Sequence, residues 1–191
     1  MKIFSLKEKD HLVYKKSKHK KGRDANQLPL FQGRVIKLQN KSYFDEALER
    51  DLAGDPEAYS YYLKSIEENE NIDESYNNLA ILEVPDNKIK AFGYFLKAIK
   101  YNPSHCEAHF NIANLYFEEK DFALAKLHYE IAAEIDPSFP NIYYNLALVC
   151  IEMNEVETAE TCLKKYILLV GKSNAADAAD IVNYLHSVKQ S

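Results

Sequence analysis

The chain has no tryptophan, only five glycines, six prolines and three cysteines in 191 residues. Scarce glycine and proline argue against an all-β protein, whose many tight turns consume both. The cysteines, Cys106, Cys150 and Cys162, are odd in number and form no C-x-x-C pair. That count gives no disulfide framework and no cysteine-based metal or redox motif, so space-filling is the expected role. Long apolar runs are missing too. The longest candidate, Tyr166 to Gly171, falls far short of the ~20 residues of a membrane-spanning helix. The opening MKIFSLKEKDHLV carries charges where a secretion signal needs an apolar centre. A cytoplasmic location with no membrane contact is therefore expected.

What is present is hydrophobic material and an uneven charge. Hydrophobic residues make up 47%, with 14 tyrosines and 9 phenylalanines supplying the bulk. This suits a folded protein and excludes wholesale disorder. Residues 1–41 hold 12 Lys and Arg against Glu8, Asp10 and Asp24, a net of +9. Residues 42–191 hold 12 against 26 acidic residues, a net of −14. These are two physical objects: a basic arm over 1–41 that includes a short extended strip, and a folded acidic domain over 42–190.

The folded part repeats itself. Ala91, Ala125 and Ala159 are spaced by 34, and so are Phe95, Tyr129 and Leu163, and Pro103, Pro137 and Gly171. Ala80, Ala113 and Ala147 form another small-residue column. A weaker copy runs upstream through Ala47, Ala58, Tyr62 and Ser65, with Glu46 standing where an apolar residue is expected. Within each copy apolar residues recur at three and four residues, as in His109, Ile112, Ala113 and Tyr116, then Leu124, Ala125, Tyr129 and Ala132. That is the period of amphipathic helices, two per copy. Two antiparallel helices approach closely only where small side chains meet, hence Ala113 against Ala125. Large residues then fill the space between units, and each unit leaves an apolar face for the next to cover. Pro137 cannot continue a helix and restricts Asp136 before it. The copy containing Tyr76 is one residue short around Val84–Asn87, which predicts a tighter turn containing Pro85. After Gly171, Ser173 or Asn174 is placed to cap a last helix to about Val188, whose Ala178, Ile181, Leu185 and Val188 would seal the final face.

These columns resemble the tetratricopeptide-repeat (TPR) family over Ser42 to Gly171, most closely in Cys106 to Pro137. His109, Tyr76 and Tyr143 stand in the column where that family most often has tryptophan. The resemblance implies an all-α, right-handed solenoid of antiparallel helix pairs: three clear units, one degenerate unit and a C-terminal capping helix. It further implies a curved stack whose first helices line a concave side, and a protein-interaction adaptor rather than an enzyme.

On that inner side one column is asparagine in each clear unit: Asn78, Asn111 and Asn145. Beside it lie Asn77, Phe110 and Tyr144, then Asn114, Phe117 and Leu148. An asparagine amide offers a donor and an acceptor, so it can pair with a peptide backbone of any sequence. Family members that bind ligands in this column support that role. Equally, each amide can bond its neighbouring helix and hold the stack in register. TPR domains that grip a C-terminal carboxylate use Lys and Arg here, whereas this chain has Glu107, Asn141 and Asn114. A neutral or basic protein segment is therefore the expected partner, not an acidic one.

The arm contains KKSKHKKGR at 15–23. This run can contact nucleic acid weakly through phosphates, fold onto the acidic body, or remain solvated. Gln27-Leu28-Pro29-Leu30-Phe31 resembles the short motif that docks on bacterial sliding clamps. The same residues, with Val35, Ile36 and Leu38, can instead form a strip packed on the first repeat. A Gln-Leu strip before a TPR block is also similar to the TPR part of bacterial MerR-type regulators, without their helix-turn-helix. These likenesses point to a bacterial source, and leave a nucleic-acid accessory role or self-association as alternatives to the adaptor.

Enzymatic motifs find no support. Val170-Gly171-Lys172-Ser173 ends like a phosphate loop, but Tyr166 replaces its upstream glycine and a helix precedes it. His105 and His109 are four apart, yet one lies in a turn and the other in the packing column, so no metal and no cofactor are expected.

Overall fold

The computed structural model describes residues 41–171 and 174–189. The basic run at 15–23, the Gln27–Phe31 strip and the arm as a whole thus lie outside the described residues, apart from Lys41. Among the described residues there are nine α-helices and no strand. They are α1 (Tyr43–Leu52), α2 (Ala58–Glu67), α3 (Ile72–Glu83), α4 (Lys88–Tyr101), α5 (Cys106–Glu118), α6 (Phe122–Ile135), α7 (Pro140–Glu152), α8 (Val156–Val170) and α9 (Ala176–Lys189). Each odd-numbered helix from α1 to α7 packs most closely on the next even one, and each pair then packs on its successor. The array is therefore a stack of antiparallel helix pairs, as the all-α solenoid reading requires.

Local chemistry sets the ends. Ser42 Oγ accepts the Asp45 N–H at 3.0 Å, Asn87 Oδ1 that of Lys90 at 3.0 Å, and Asp121 Oδ1 that of Leu124 at 3.2 Å. Each satisfies an N-terminal donor that has no partner within its helix. Three of the within-pair turns close on a left-handed residue: Gly54 (φ 70°), Lys120 (φ 63°) and Asn154 (φ 60°). After it, the chain bonds back onto the helix end, as in Asp121 N–H to Tyr116 O at 2.9 Å and Glu155 N–H to Cys150 O at 2.8 Å. The second unit differs. Its missing residue comes out of helix α3, which stops at Glu83, and the connection 84–87 to α4 is longer than the connection 119–121 of the next unit. The predicted tight turn is thus corrected. Pro85 has no N–H to extend α3, so the helix shortens and Asn87 starts α4 afresh.

The columns read from sequence are the core. Ala47, Ala80, Ala113 and Ala147 in the first helices, and Ala91, Ala125 and Ala159 in the second, are all 0% exposed, as are Tyr62, Phe95, Tyr129 and Leu163. The degenerate first unit folds like the others because Phe44 and Ala47 supply its buried face. Glu46 is turned outward onto Arg50 at 3.2 Å. At the other end Ala175, Ala178, Ile181, Val182 and Leu185 of the last segment join the core cluster of α5–α8. A helix that covers the last apolar face is what keeps a repeat array closed.

Candidate functional site

The first helices carry the asparagines, and the structure places them differently from an open amide face. Asn77, Asn78, Asn111 and Asn114 are 0% exposed and Asn145 is 1% exposed. Phe110 and Tyr144 are buried with them, and Phe117 and Leu148 are half-buried. The asparagine side chains are thus enclosed within the fold. The reason is geometric: packing of successive first helices brings an amide of this column within reach of a neighbouring one on the helix before, Asn111 with Asn77 and Asn145 with Asn114.

Two networks result. Asn78 Nδ2 donates to Tyr62 Oη at 3.1 Å, Asn77 Nδ2 to Asn78 Oδ1 at 3.3 Å, and Asn111 Nδ2 to Asn77 Oδ1 at 2.9 Å. This chain ties α2, α3 and α5. Further on, Tyr129 Oη donates to Asn114 Oδ1 at 2.5 Å. Asn145 Nδ2 donates to the same Oδ1 at 3.1 Å and approaches Tyr129 Oη at 3.2 Å. This second network ties α5, α6 and α7. It ends open, since Asn114 Nδ2 and Asn145 Oδ1 are buried with no hydrogen-bond partner. Burying such a group unpaired costs on the order of 1–3 kcal/mol, and buried polar atoms are rarely left so.

Phe110 contacts the Tyr129 ring at 5.7 Å and the Phe139 ring at 4.9 Å, and Phe117 contacts Phe122 at 5.6 Å. Tyr144 meets Tyr166 at 5.1 Å. These aromatics, singled out from sequence as apolar contacts, are thus engaged within the fold.

Beside the amides, at the starts of α3 and α5, carboxylates gather. Burial, the hydrogen bond with Asp73, and the charges of Asp73 and Glu107 push the Glu74 carboxyl up to about 7. Burial acts in the same direction on Asp73, but hydrogen bonds from Glu74 and Asn102 hold it below the usual carboxylate range. Asn102 Nδ2 reaches Asp73 Oδ2 at 2.7 Å. The repeat places Glu74 and Glu107 at equivalent positions 33 residues apart, flanking the asparagine column, and the fold adds Asp73 to them.

The histidines have structural duties. His105 Nδ1 accepts the Ala108 N–H at 3.2 Å and so caps α5. His109 Nε2 lies 3.1 Å from Pro103 O, and its Nδ1 lies 3.1 Å from His128 Nδ1. A carbonyl can only accept, so Nε2 carries the proton, Nδ1 accepts, and His128 donates through its own Nδ1. No group of three potential metal ligands occurs among the described residues. No helix among them is long and apolar enough to cross a membrane.

Two family models, both described as tetratricopeptide repeat, match residues 116–179 and 94–126. Among solved structures, the chain is similar to a MamA protein with TM-score 0.64 at 20% identity, covering 78% of this chain and 81% of that one. A MamA fragment (41-end) from Desulfovibrio magneticus RS-1 gives TM-score 0.58 at 19% identity, covering 78% and 93%. The first TPR of Spaghetti (RPAP3), bound to the HSP90 peptide SRMEEVD, gives 0.57 at 18%, covering 62% and 94%. At these identities the likeness establishes the fold. No curated protein matches, and the matches lend no support to the likeness to MerR-type regulators. Repeat columns, helix-pair stacking, family models and solved folds agree: residues 94–179 match tetratricopeptide repeats, and the described residues have the fold of tetratricopeptide-repeat proteins.

Proposed function

We propose that this protein is a non-catalytic adaptor that holds a peptide or protein segment along the inner column of its first helices. Residues 42–190 form the binding domain and 1–41 a separate arm. The observation that carries this reading is the open end of the second asparagine network: a buried donor, Asn114 Nδ2, and a buried acceptor, Asn145 Oδ1, each without a hydrogen-bond partner. One residue of an extended peptide carries the complement on a single edge, its C=O for the first and its N–H for the second. Supplying both bonds removes a cost that the unliganded fold bears. Entry requires the inner face to open at α5 and α7.

The expected ligand is neutral or basic. Glu74 and Glu107 occupy the approach, with Asp73 bonded to Glu74. A lysine or arginine at that point would offset the burial, and then the neighbouring carboxylates, that push the Glu74 carboxyl up. The RPAP3 domain is bound to a peptide ending in acidic residues. Here Glu107, Asn141 and Asn114 stand where a carboxylate-gripping TPR has cations, so the opposite charge preference is proposed.

The test is fluorescence anisotropy of the full chain with a labelled peptide alternating lysine and leucine. Binding that weakens in Glu74→Gln/Glu107→Gln supports the reading. No binding, or an affinity unchanged by the double substitution, refutes it.

A further inference from the structure

A different column runs along one edge of the stack. Lys64 of α2, Lys97 of α4 and Lys165 of α8 occupy one repeat position, 33 and then 68 residues apart, the second interval being two repeats. Each ammonium lies over tyrosine. Lys64 Nζ is 4.6 Å from the Tyr61 ring centre and 6.0 Å from that of Tyr43. Lys97 Nζ is 5.1 Å from Tyr94 and 5.2 Å from Tyr76. Lys165 Nζ is 5.7 Å from Tyr143. The tyrosines repeat with the lysines: Tyr43, Tyr76 and Tyr143 come from first helices, and Tyr61 and Tyr94 from second helices. In the third unit the same places hold His109, His128 and Ile131, which breaks the column.

These lysines differ from others in the domain. Lys41, Lys88, Lys90, Lys126 and Lys164 all pair with carboxylates. Lys64, Lys97 and Lys165 have no carboxylate ion-pair partner among the described residues, in a domain whose net charge is −14. A ring face attracts an ammonium but supplies no carboxylate counter-ion. The side chain is already held, so less rotamer entropy is lost when a partner arrives.

We propose that this edge is a second docking surface, for an extended acidic polypeptide segment carrying carboxylates at about the spacing of the repeats. It is opposite in sign to the ligand proposed for the inner column and does not depend on that reading. An acidic segment fits better than a nucleic acid for two reasons. Duplex DNA brings one charge per about 1.7 Å, which the acidic remainder of the domain repels, whereas a polypeptide can place one carboxylate per repeat. The tyrosine faces are covered by the ammonium groups and so offer no platform for base stacking.

The experiment is lysine acetylation footprinting of the full chain, read by mass spectrometry, with and without poly-L-glutamate, and in parallel with duplex DNA. Expected is protection of Lys64, Lys97 and Lys165 together by polyglutamate, while the exposed Lys100 and Lys120 stay reactive. Readout at single lysines separates this surface from the basic arm. In the variant K64Q/K97Q/K165Q, polyglutamate affinity should fall about tenfold, the modest loss expected of three solvent-exposed charge pairs. The control K88Q/K126Q/K164Q, at lysines already paired, should leave it unchanged. Protection confined to the arm, uniform protection of all lysines, equal loss in both variants, or protection of the column by DNA instead of polyglutamate would each overturn the proposal.

Discussion

The pair His109 and His128 makes acid the sharpest probe of this fold. Burial, then the neighbouring His109, lowers the His128 imidazole from 6.5 to about 4. Burial also lowers His109, against the opposing effect of its bond to Pro103. Both rings are thus neutral in the folded chain, in the one arrangement that their hydrogen bonds allow. For a base with a depressed folded value, the unfolded chain binds the proton more tightly. Stability is then complete above the unfolded value of 6.5 and is lost as pH falls from there toward about 4. Each tenfold difference in proton affinity between the unfolded and folded chain corresponds to about 1.4 kcal/mol. The lowered affinity of His128 thus allows a loss of up to about 3 kcal/mol by pH 4, which partial solvent contact reduces to about 1–2 kcal/mol. The perturbation is His128→Tyr, because Tyr94 fills the same place one repeat earlier and a tyrosine preserves the ring contact that His128 makes with Tyr116 at 5.6 Å. Urea unfolding followed by circular dichroism at pH 7.5, 6.5, 5.5 and 4.5 measures the difference. Wild type should lose about 1–2 kcal/mol more than the variant across that range. Equal pH slopes would refute the claim that this pair resists protonation in the fold.

Other tests follow from the same contacts. Tyr129→Phe removes the hydroxyl that Asn114 and Asn145 share, leaves only the bond between the two amides, and should cost about 1–3 kcal/mol for the two buried bonds lost in a thermal melt; an unchanged Tm would mean that the network is not holding α5, α6 and α7. Ile181→Asp puts a charge at a site only 7% exposed on the capping helix, so amide hydrogen exchange should quicken in α8 and α9 while α1–α4 keep their protection. Ala113→Leu overpacks the close approach of α5 and α6, where Ala113 and Ala125 are 0% exposed, and should destabilise by about 1–3 kcal/mol; a neutral effect would mean that the helices do not meet there. Because the Glu74 carboxyl is pushed up to about 7, affinity for a lysine-bearing peptide should rise by up to about tenfold between pH 6 and 8 as that carboxyl ionises, and Glu74→Gln should flatten the profile.

Much of the architecture was legible because repetition multiplies weak signals. A single alanine says little, but Ala80, Ala113 and Ala147 facing Ala91, Ala125 and Ala159 specify where helices touch. The same spacing assigned the large partners Phe95, Tyr129 and Leu163 and the sealing residues of α9. Turn chemistry was less legible. A missing residue between Tyr76 and Ala91 can be absorbed by a turn or by a helix end, and only the hydrogen bonding around Pro85 and Asn87 shows that α3 took it.

Sequence by itself determined the repeat period, the buried columns and the division of charge between residues 1–41 and 42–191. These are properties of residue type and spacing, which one dimension records. Tertiary structure alone decided the fate of each polar group. Whether an asparagine faces solvent or the next repeat depends on what stands across from it, and both readings of Asn78, Asn111 and Asn145 have the same spacing. The fold spends most of those amides on one another and leaves Asn114 Nδ2 and Asn145 Oδ1 open. It likewise decides which lysines find a carboxylate, as Lys88 does with Glu118, and which lie over tyrosine rings without one, as Lys97 does over Tyr76 and Tyr94.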